Sequence, residues 1–350
     1  MTIPADVLAR LATQAESADR TPDWPAGSWD ALRTAGVLGR AVPREYGGTG
    51  LGTVGLLRAG ETLAAACLTT AFILSQRDAA VRRLLAGPDR LKERYLPRVA
   101  AGDAFITVGL SQLTTSRQHG GPALLATPTA GGFRLDGDIP WVTGADRAEA
   151  VVTGATLADA SQVLVVLPTD RPGVRVGEPM ELAALYGSRT SAVRCDRVEV
   201  EAELVLGGPT GHVLGTVGGG GLETSALALG LAGAAVDHLR DEATRRADLR
   251  NVADRFEAAR VAACRRLHEL AVTPPAAELV LAARVGCTRL ALRATQAALV
   301  AAKGAGFVAP HPVGRWSRQA LFFLVWSCPR PVTADLLAEL SPANLPAGVG

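Results

Sequence analysis

Aromatic residues are scarce: Phe, Trp and Tyr together make up 4% of 350 residues. The five tryptophans therefore mark places where a flat apolar surface is wanted. No excess of one charge exists either. The 36 basic and 34 acidic residues leave a net charge of +2, and the basic ones are spread over several helical segments without an aromatic-laced stripe, which argues against nucleic acid as a partner. Cys67, Cys195, Cys264, Cys287 and Cys328 are odd in number, scattered and never spaced C-x-x-C. That indicates neither a disulfide framework nor a zinc site and suits a reducing compartment. No run approaches the roughly 18 consecutive apolar residues of a membrane span, and M-T-I-P-A-D-V-L-A-R lacks the basic start and apolar core of a signal peptide. The expectation is a cytoplasmic chain with no metal and no membrane contact.

What is present is apolar mass: 48% hydrophobic residues can bury a substantial core in two or three structural units. Helical spacing covers Ala5 to Arg20 and Ser28 to Ala35, with Ser28 as N-cap and Gly36 as stop. The loop Val37 to Gly52 follows, its glycines and proline unable to continue a helix. Helical segments come next at Val54–Cys67, Thr70–Leu85 and Asp89–Ala100. From Phe105 the period changes to two, with strands expected at Phe105–Leu110, Ala123–Thr127, Gly132–Leu135, Ala150–Thr153, Gln162–Leu167 and Ser191–Val200. These make an antiparallel sheet or small barrel. After the linker Gly218–Gly221, long Ala/Leu/Arg helices return at Leu222–Arg250, Ala253–Leu270, Ala276–Ala302 and Trp316–Trp326. The tail after Pro329 is expected to be ordered only in part.

Helices, then strands, then helices is not the strict alternation of a doubly wound fold, so no parallel dinucleotide sheet is expected. No G-x-S-x-G elbow surrounds a serine, and Ser111, His119 and Asp136 form no recognisable triad. The informative stretch is Val108 to Ala145. It carries V-G-L-S-Q-L-T-T-S-R-Q-H-G-G, two short apolar runs, a turn expected at Asp136-Gly137-Asp138, and Trp141-Val142-Thr143. It predicts a β-hairpin with functional groups at both ends.

Four signatures in order now resemble one family. Val42-Pro43-Arg44-Glu45-Tyr46-Gly47-Gly48-Thr49-Gly50 is similar to a V-P-x-E-Y-G-G-x-G loop, and Leu110-Ser111-Gln112 stands where an L-T-E motif would. Trp141-Val142-Thr143-Gly144-Ala145 resembles W-I-T-N-A. Gly304-Ala305-Gly306-Phe307, His311-Pro312-Val313 and Arg318-Gln319-Ala320 resemble G-x-G-Y, Y-P-V and R-D-A. On these motifs the chain resembles the acyl-CoA dehydrogenase superfamily over nearly its whole length.

The resemblance implies an α+β multidomain fold: an N-terminal helical domain (1–103), a central antiparallel β domain (104–208) and a C-terminal four-helix-type bundle (209–350). It implies FAD between the β domain and the C-terminal helices, and a homodimer or homotetramer. An isoalloxazine ring needs an apolar wall and a few aimed polar groups. Trp141 would be the wall. Ser111 and Thr143 would supply hydroxyls, the backbone amides of Leu110, Ser111 and Val142 would serve the pyrimidine edge, and Val108 and Gly304 are further candidate cofactor-binding residues.

The departures concern the base. The family removes an α-proton with a glutamate while a hydride passes to the flavin, and Ser327 stands at the usual glutamate position here. A serine has no usable basicity unless a second group activates it. Another subgroup carries the base at the start of the first C-terminal helix, where Leu222-Glu223 falls, so Glu223 is the candidate catalytic base. An acid in a helix's first turn is also favoured by the dipole alone. An R-x-x-F-G segment is replaced around Arg245, Arg246 and Arg250, which either meet a pyrophosphate or form a solvated helix face. Lys303 replaces a glycine, Gln112 an acid, and His119 is a loop residue with possible acid–base use. The expected function is FAD-dependent α,β-dehydrogenation of an acyl-CoA or similar acyl substrate, with a flavoprotein electron acceptor as possible partner. The alternatives are a flavin oxidase or monooxygenase, and a non-catalytic member of the family.

Overall fold

The computed structural model describes residues 2–114, 120–215, 221–273 and 275–341, in two compact units: 1–59 with 66–218, and 60–65 with 219–350. His119 and Gly218, Gly219 and Gly220 lie outside the described residues.

In the first unit, helices α1 (Ala5–Arg20), α2 (Ala26–Thr34), α3 (Thr53–Ala66), α4 (Leu68–Leu85) and α5 (Asp89–Ala101) precede the strands; residues 60–65 of α3 belong to the second unit. Ser28 is not an N-cap. The helix begins two residues earlier, after Pro25, and Ser28 is buried inside it, its hydroxyl donating to Gln14 Oε1 at 2.8 Å. Gly36 does stop the helix, in the left-handed region at φ 69°.

The strands are β1 (Ile106–Gly109), β2 (Leu124–Thr129), β3 (Gly132–Val142), β4 (Ala150–Thr156), β5 (Gln162–Pro168), β6 (Val174–Val176), β7 (Ser191–Glu201) and β8 (Val205–Thr210). They form one eight-stranded sheet in the order β6-β7-β3-β2-β4-β5-β8, with β1 pairing β4. Most neighbours are antiparallel, but β1–β4 and β2–β4 are parallel. The expected turn at Asp136-Gly137-Asp138 is corrected: these residues lie inside β3, and the hairpin turn is at Ala130-Gly131, between β2 and β3. Asp136 and Asp138 reach across to Arg194 on β7, at 3.5 and 3.2 Å, and this ladder satisfies the charges that read as a turn. β1, which ends at the Leu110-Ser111-Gln112 motif, is not the hairpin partner of β3.

Two register shifts break β3–β7. Val198 to Cys195 spans three residues of β7 against two of β3, and Arg197 at φ 52° absorbs the extra one. Ile139 to Val142 spans three residues of β3 against two of β7. A proline has no N–H to give the ladder, and Pro140 sits in this second bulge.

The second unit contains α6 (Leu222–Arg245), α7 (Arg250–Leu270), α8 (Ala277–Ala302), α9 (Pro312–Phe322) and α10 (Arg330–Leu340). The break between α6 and α7 comes earlier than the apolar pattern suggested, at Arg246, which leaves the helical region (φ −126°, ψ 97°). The segment after Pro329 forms α10, whose Val332 and Leu336 pack on Cys328 with Leu281 and Val285 of α8. Residues 342–350 of the tail lie outside the described residues.

Charge is also buried in the first unit. Asp78 accepts from Arg40 Nε at 2.9 Å and from Arg77 Nη1 at 3.3 Å, and Arg77 Nη2 donates to the Val99 carbonyl. Arg77 is 0% exposed, and burial lowers its pKa to about 10. One carboxylate thus holds two guanidiniums out of water. Removing one partner of such a group costs about 3–5 kcal/mol, so Asp78→Ala should lower the urea midpoint by that equivalent. Asp136→Ala, which breaks a pair with both side chains about half exposed, should leave the midpoint nearly unchanged.

Burial pushes the Cys195 and Cys287 thiols up to about 12 from an ordinary 9.0. Between those values the unfolded chain loses protons that the folded chain keeps, so stability should fall as pH rises from about 9 towards 12. Urea titrations of the wild type and of Cys195→Ala/Cys287→Ala should diverge in slope against pH over that window.

Candidate functional site

The end of β3 builds the site. Ile139 and Val142 both point into the core, three positions apart, because the bulge takes up Pro140 and Trp141. Trp141 is thereby turned outward, 48% exposed, where strict alternation would have put it on the side of Ile139. The other members of its tryptophan set serve different ends. Trp24 and Trp29 pack edge-on against Phe105 at 5.3 and 5.4 Å inside the first unit.

Thr143, one residue beyond β3, is buried. Its hydroxyl lies 3.3 Å from Thr190 Oγ1, which lies 2.9 Å from Ser188 Oγ, so three buried hydroxyls form a chain. Gly144 then turns at φ 62°, donating its N–H to the Ser188 carbonyl at 2.9 Å. A Cβ there would lie 2.7 Å from the Phe105 ring, so this turn rests directly on the aromatic cluster.

The segment that brings Ser188 and Thr190 to Thr143 is held under backbone strain. Leu185 and Arg189 both adopt positive φ, 63° and 50°. Asp19 Oδ1 accepts the Leu185 N–H at 2.9 Å, and Arg189 binds Asp146 Oδ2 at 2.7 Å and donates to the Pro22 carbonyl at 2.6 Å. Conformations of this kind cost roughly 1–3 kcal/mol each and persist where the surroundings over-determine them, typically at functional sites. Neither Ser188 nor Thr190 was found by sequence reasoning. The only trace is the hydroxyl-rich run Ser188-Arg189-Thr190-Ser191 before β7.

The other predicted motif follows β1. Gly109 permits β1 to approach β3, since a Cβ there would lie 2.4 Å from Ile139 and 3.0 Å from Val142. Val108 is buried and Leu110 half-buried on the way to Ser111. Gln112 is a tether: its Nε2 donates to the Gly109 and Gly154 carbonyls and Thr153 Oγ1 at 2.9–3.0 Å. Ser111 Oγ and Gln112 Oε1 are both buried and have no hydrogen-bond partner among the described residues. A buried polar atom of this kind costs about 1–3 kcal/mol unless a partner arrives.

In the second unit, Glu223 lies in the first turn of α6, half-buried, with its Oε2 folded back towards Gly221. Ser327 sits between α9 and α10 at φ 51°. The turn that carries it is organised by Arg284 of α8, whose Nη2 donates to the carbonyls of Phe323 and Trp326 at 3.0 and 2.8 Å and whose Nη1 donates to Thr288. Arg284 is 2% exposed, and burial lowers its pKa. Gly304 is exposed beside Phe307, which is 84% exposed. Arg245 pairs with Glu242 at 2.9 Å, and Arg246 donates to the Ala301 carbonyl at 2.7 Å, both within this unit. Among the described residues no group of three His, Cys, Asp or Glu side chains could hold a metal ion, and no helix is long and apolar enough to cross a membrane.

A flavin ring fits what the first unit offers. Trp141 is an exposed aromatic face, Thr143 a hydroxyl fixed by its neighbours, and Ser111 and Gln112 carry buried oxygens with no partner among the described residues.

Comparison with known proteins places these features in a wider set. The family model for the acyl-CoA dehydrogenase N-terminal domain matches residues 5–103. The protein named Probable acyl-CoA dehydrogenase YngJ of Bacillus subtilis is 29% identical over 237 residues, and the match spans 65% of this chain and 62% of that protein's length. Butyryl-CoA dehydrogenase from Megasphaera elsdenii has a similar structure, with a TM-score of 0.82 at 20% identity over 93% of this chain and 94% of that one. Dibenzothiophene monooxygenase from Paenibacillus sp. A11-2 is similar at a TM-score of 0.77 and 19% identity, over 91% of this chain and 92% of that one.

Lys303 occupies φ 55°, ψ −149°, a region in which only glycine is comfortable. Lys303→Gly should therefore stabilise the chain by about 1 kcal/mol, read as a raised melting temperature.

Proposed function

Since the chain belongs to the acyl-CoA dehydrogenase superfamily, we propose that it is a flavin-dependent oxidoreductase that binds FAD and acts on an acyl-CoA or a similar activated acyl substrate. One observation carries the reading: the β3 bulge presents Trp141 outward beside the hydroxyl chain Thr143–Thr190–Ser188. A bound flavin supplies an acceptor for a hydride from the substrate's β-carbon. Trp141 covers one face of the ring. Thr190 and Ser188 keep the Thr143 hydroxyl in one orientation, and Ser111 with Gln112 meets the polar edge.

The chain's share of the chemistry is the proton. Glu223 is the base we assign: a carboxylate in the first turn of α6 takes the α-proton of an acyl thioester. Ser327 is not assigned the role, because a serine hydroxyl needs a second group to activate it. The exposed apolar side chains Val300, Phe307 and Val308 support a homodimer or homotetramer, and a flavoprotein electron acceptor would reoxidise the enzyme.

A second reading rests on Ser327: where the turn after α9 carries no carboxylate, oxygen chemistry on the same fold, as in a flavin oxidase or monooxygenase, does not call for a base at that position. The distinguishing experiment is spectroscopic. Protein purified with FAD should be yellow, and Trp141→Ala should bind FAD at least about tenfold more weakly with an unchanged melting temperature, the loss of one stacking wall. A chain that never acquires a flavin spectrum is the non-catalytic member of the family. Anaerobic acyl-CoA should bleach the wild type, and Glu223→Gln should abolish the bleaching; undiminished bleaching in that variant removes Glu223 from the reaction. Bleaching only by a reductase system, followed by oxygen uptake, selects the monooxygenase.

A further inference from the structure

The buried charge of the first unit does not balance. Arg40 and Arg77 share one carboxylate, Asp78, and all three side chains are buried. Arg40 uses Nε and Nη2, both 2.9 Å from Asp78 Oδ2, and Arg77 uses Nη1, 3.3 Å from Oδ1. Arg77 Nη2 goes to the Val99 carbonyl. That leaves Arg40 Nη1 and Arg77 Nε, buried and with no hydrogen-bond partner among the described residues. A guanidinium is a rigid fork, so neither donor can turn to another acceptor without pulling its fork off Asp78.

The surroundings trap the excess. Arg77 and Asp78 are neighbours inside α4, flanked by the fully buried Ile73, Leu74, Ala80 and Val81. Arg40 arrives from the loop 37–52, which closes on itself: the N–H of Thr49 donates to the Gly39 carbonyl at 3.0 Å, and that of Leu51 to the Arg40 carbonyl at 2.8 Å. Burial lowers the Arg77 pKa to about 10, Arg40 pushes it the same way, and only Asp78 opposes them. The side chain therefore stays protonated at neutral pH. Among the described residues Asp78 is the one carboxylate that bears on it. One net positive charge is thus held among apolar side chains, where an uncompensated charge is strongly unfavourable.

We propose that this cluster binds one small monovalent anion of the halide class, with Arg40 Nη1 and Arg77 Nε as its donors. Both donors belong to guanidiniums already bonded to Asp78, so each lies within one guanidinium's width of the same carboxylate. Charge and donor count select the occupant. A water molecule accepts from both donors but leaves the charge unbalanced. A divalent oxyanion overshoots the charge by one, and its remaining oxygens would face side chains with nothing to donate. A halide balances the charge and needs donors alone. Bound there, it ties the loop 37–52 to α4. The inference does not depend on flavin binding.

The test uses the full chain, with sodium chloride exchanged for sodium gluconate at constant ionic strength so that screening is the same throughout. The urea midpoint should rise with chloride and saturate as one site does, because a ligand of the folded state alone stabilises it by mass action. Bromide should replace chloride. Hydrogen exchange at the Thr49 and Leu51 amides should slow in the same titration. Two substitutions should move the effect in opposite directions. Arg40→Met leaves Arg77 and Asp78 balanced and should raise the chloride concentration at half effect at least about tenfold, whereas Asp78→Asn leaves two guanidiniums unbalanced and should lower it about tenfold. Equal midpoints in chloride and gluconate, the result expected of an internal water, overturn the proposal on the wild type alone, whether or not either variant folds. An unchanged chloride dependence in Arg40→Met overturns it as well, because the ion then binds elsewhere, and so does a weaker one in Asp78→Asn.

Discussion

The candidate site depends on a single extra residue in β3. A strand alternates its side chains with period two, so Ile139 pointing inward commits residue 141 to the same side and residue 142 to the other. The bulge reverses that assignment: Val142 goes into the core and Trp141 turns out. Pro140 makes the bulge favourable, because a residue with no N–H costs a ladder hydrogen bond in a regular central strand and costs little at an irregularity. Everything that follows inherits this phase. Thr143 is buried against Thr190, and Gly144 turns onto Phe105.

The same side of the sheet shows how far a site reaches beyond its named residues. Thr143 is held by hydroxyls nearly fifty positions away in sequence, on a segment bent twice through positive φ and tied down by Asp19 and Arg189. A hydroxyl with three rotamers is a poor positioning group on its own, and the Ser188–Thr190 pair restricts it. The strain in that segment is offset by contacts to α1 and to Asp146, so rigid elements of the first unit bear on the orientation of one hydroxyl.

Much of this was legible in sequence, and the parts that were not share a cause. Local patterns located the early helices to within two residues, because each carries its own apolar period and its own stop. The β1 and β7 strands were found by alternation, β7 even across its bulge. The run Asp136-Gly137-Asp138 misled because turn composition is a local signal, whereas the carboxylates are satisfied by Arg194 on a strand almost sixty residues later. β6 has only three residues and β8 carries two glycines and a proline, so neither holds an alternating pattern. Ser188 and Thr190 were missed for the reason that hid the Asp136 ladder: their importance lies in what they touch. Ser111, Trp141 and Thr143 were singled out through motif order, which preserves information about long-range contacts that composition discards.

The turn after α9 shows what a buried guanidinium asks of the chain around it. Ser327 sits there in the left-handed region, and its neighbours Phe323, Trp326 and Cys328 are gathered around Arg284. A buried guanidinium must spend its donors on local acceptors, and here they are the carbonyls of that turn. A glutamate placed at 327 would bring a carboxylate near this charge, and an ion pair with Arg284 would compete with any role as a proton acceptor, since a paired carboxylate has its basicity lowered. The arginine and the absence of an acid at 327 are therefore mutually consistent: the turn is held by Arg284 through the Phe323 and Trp326 carbonyls.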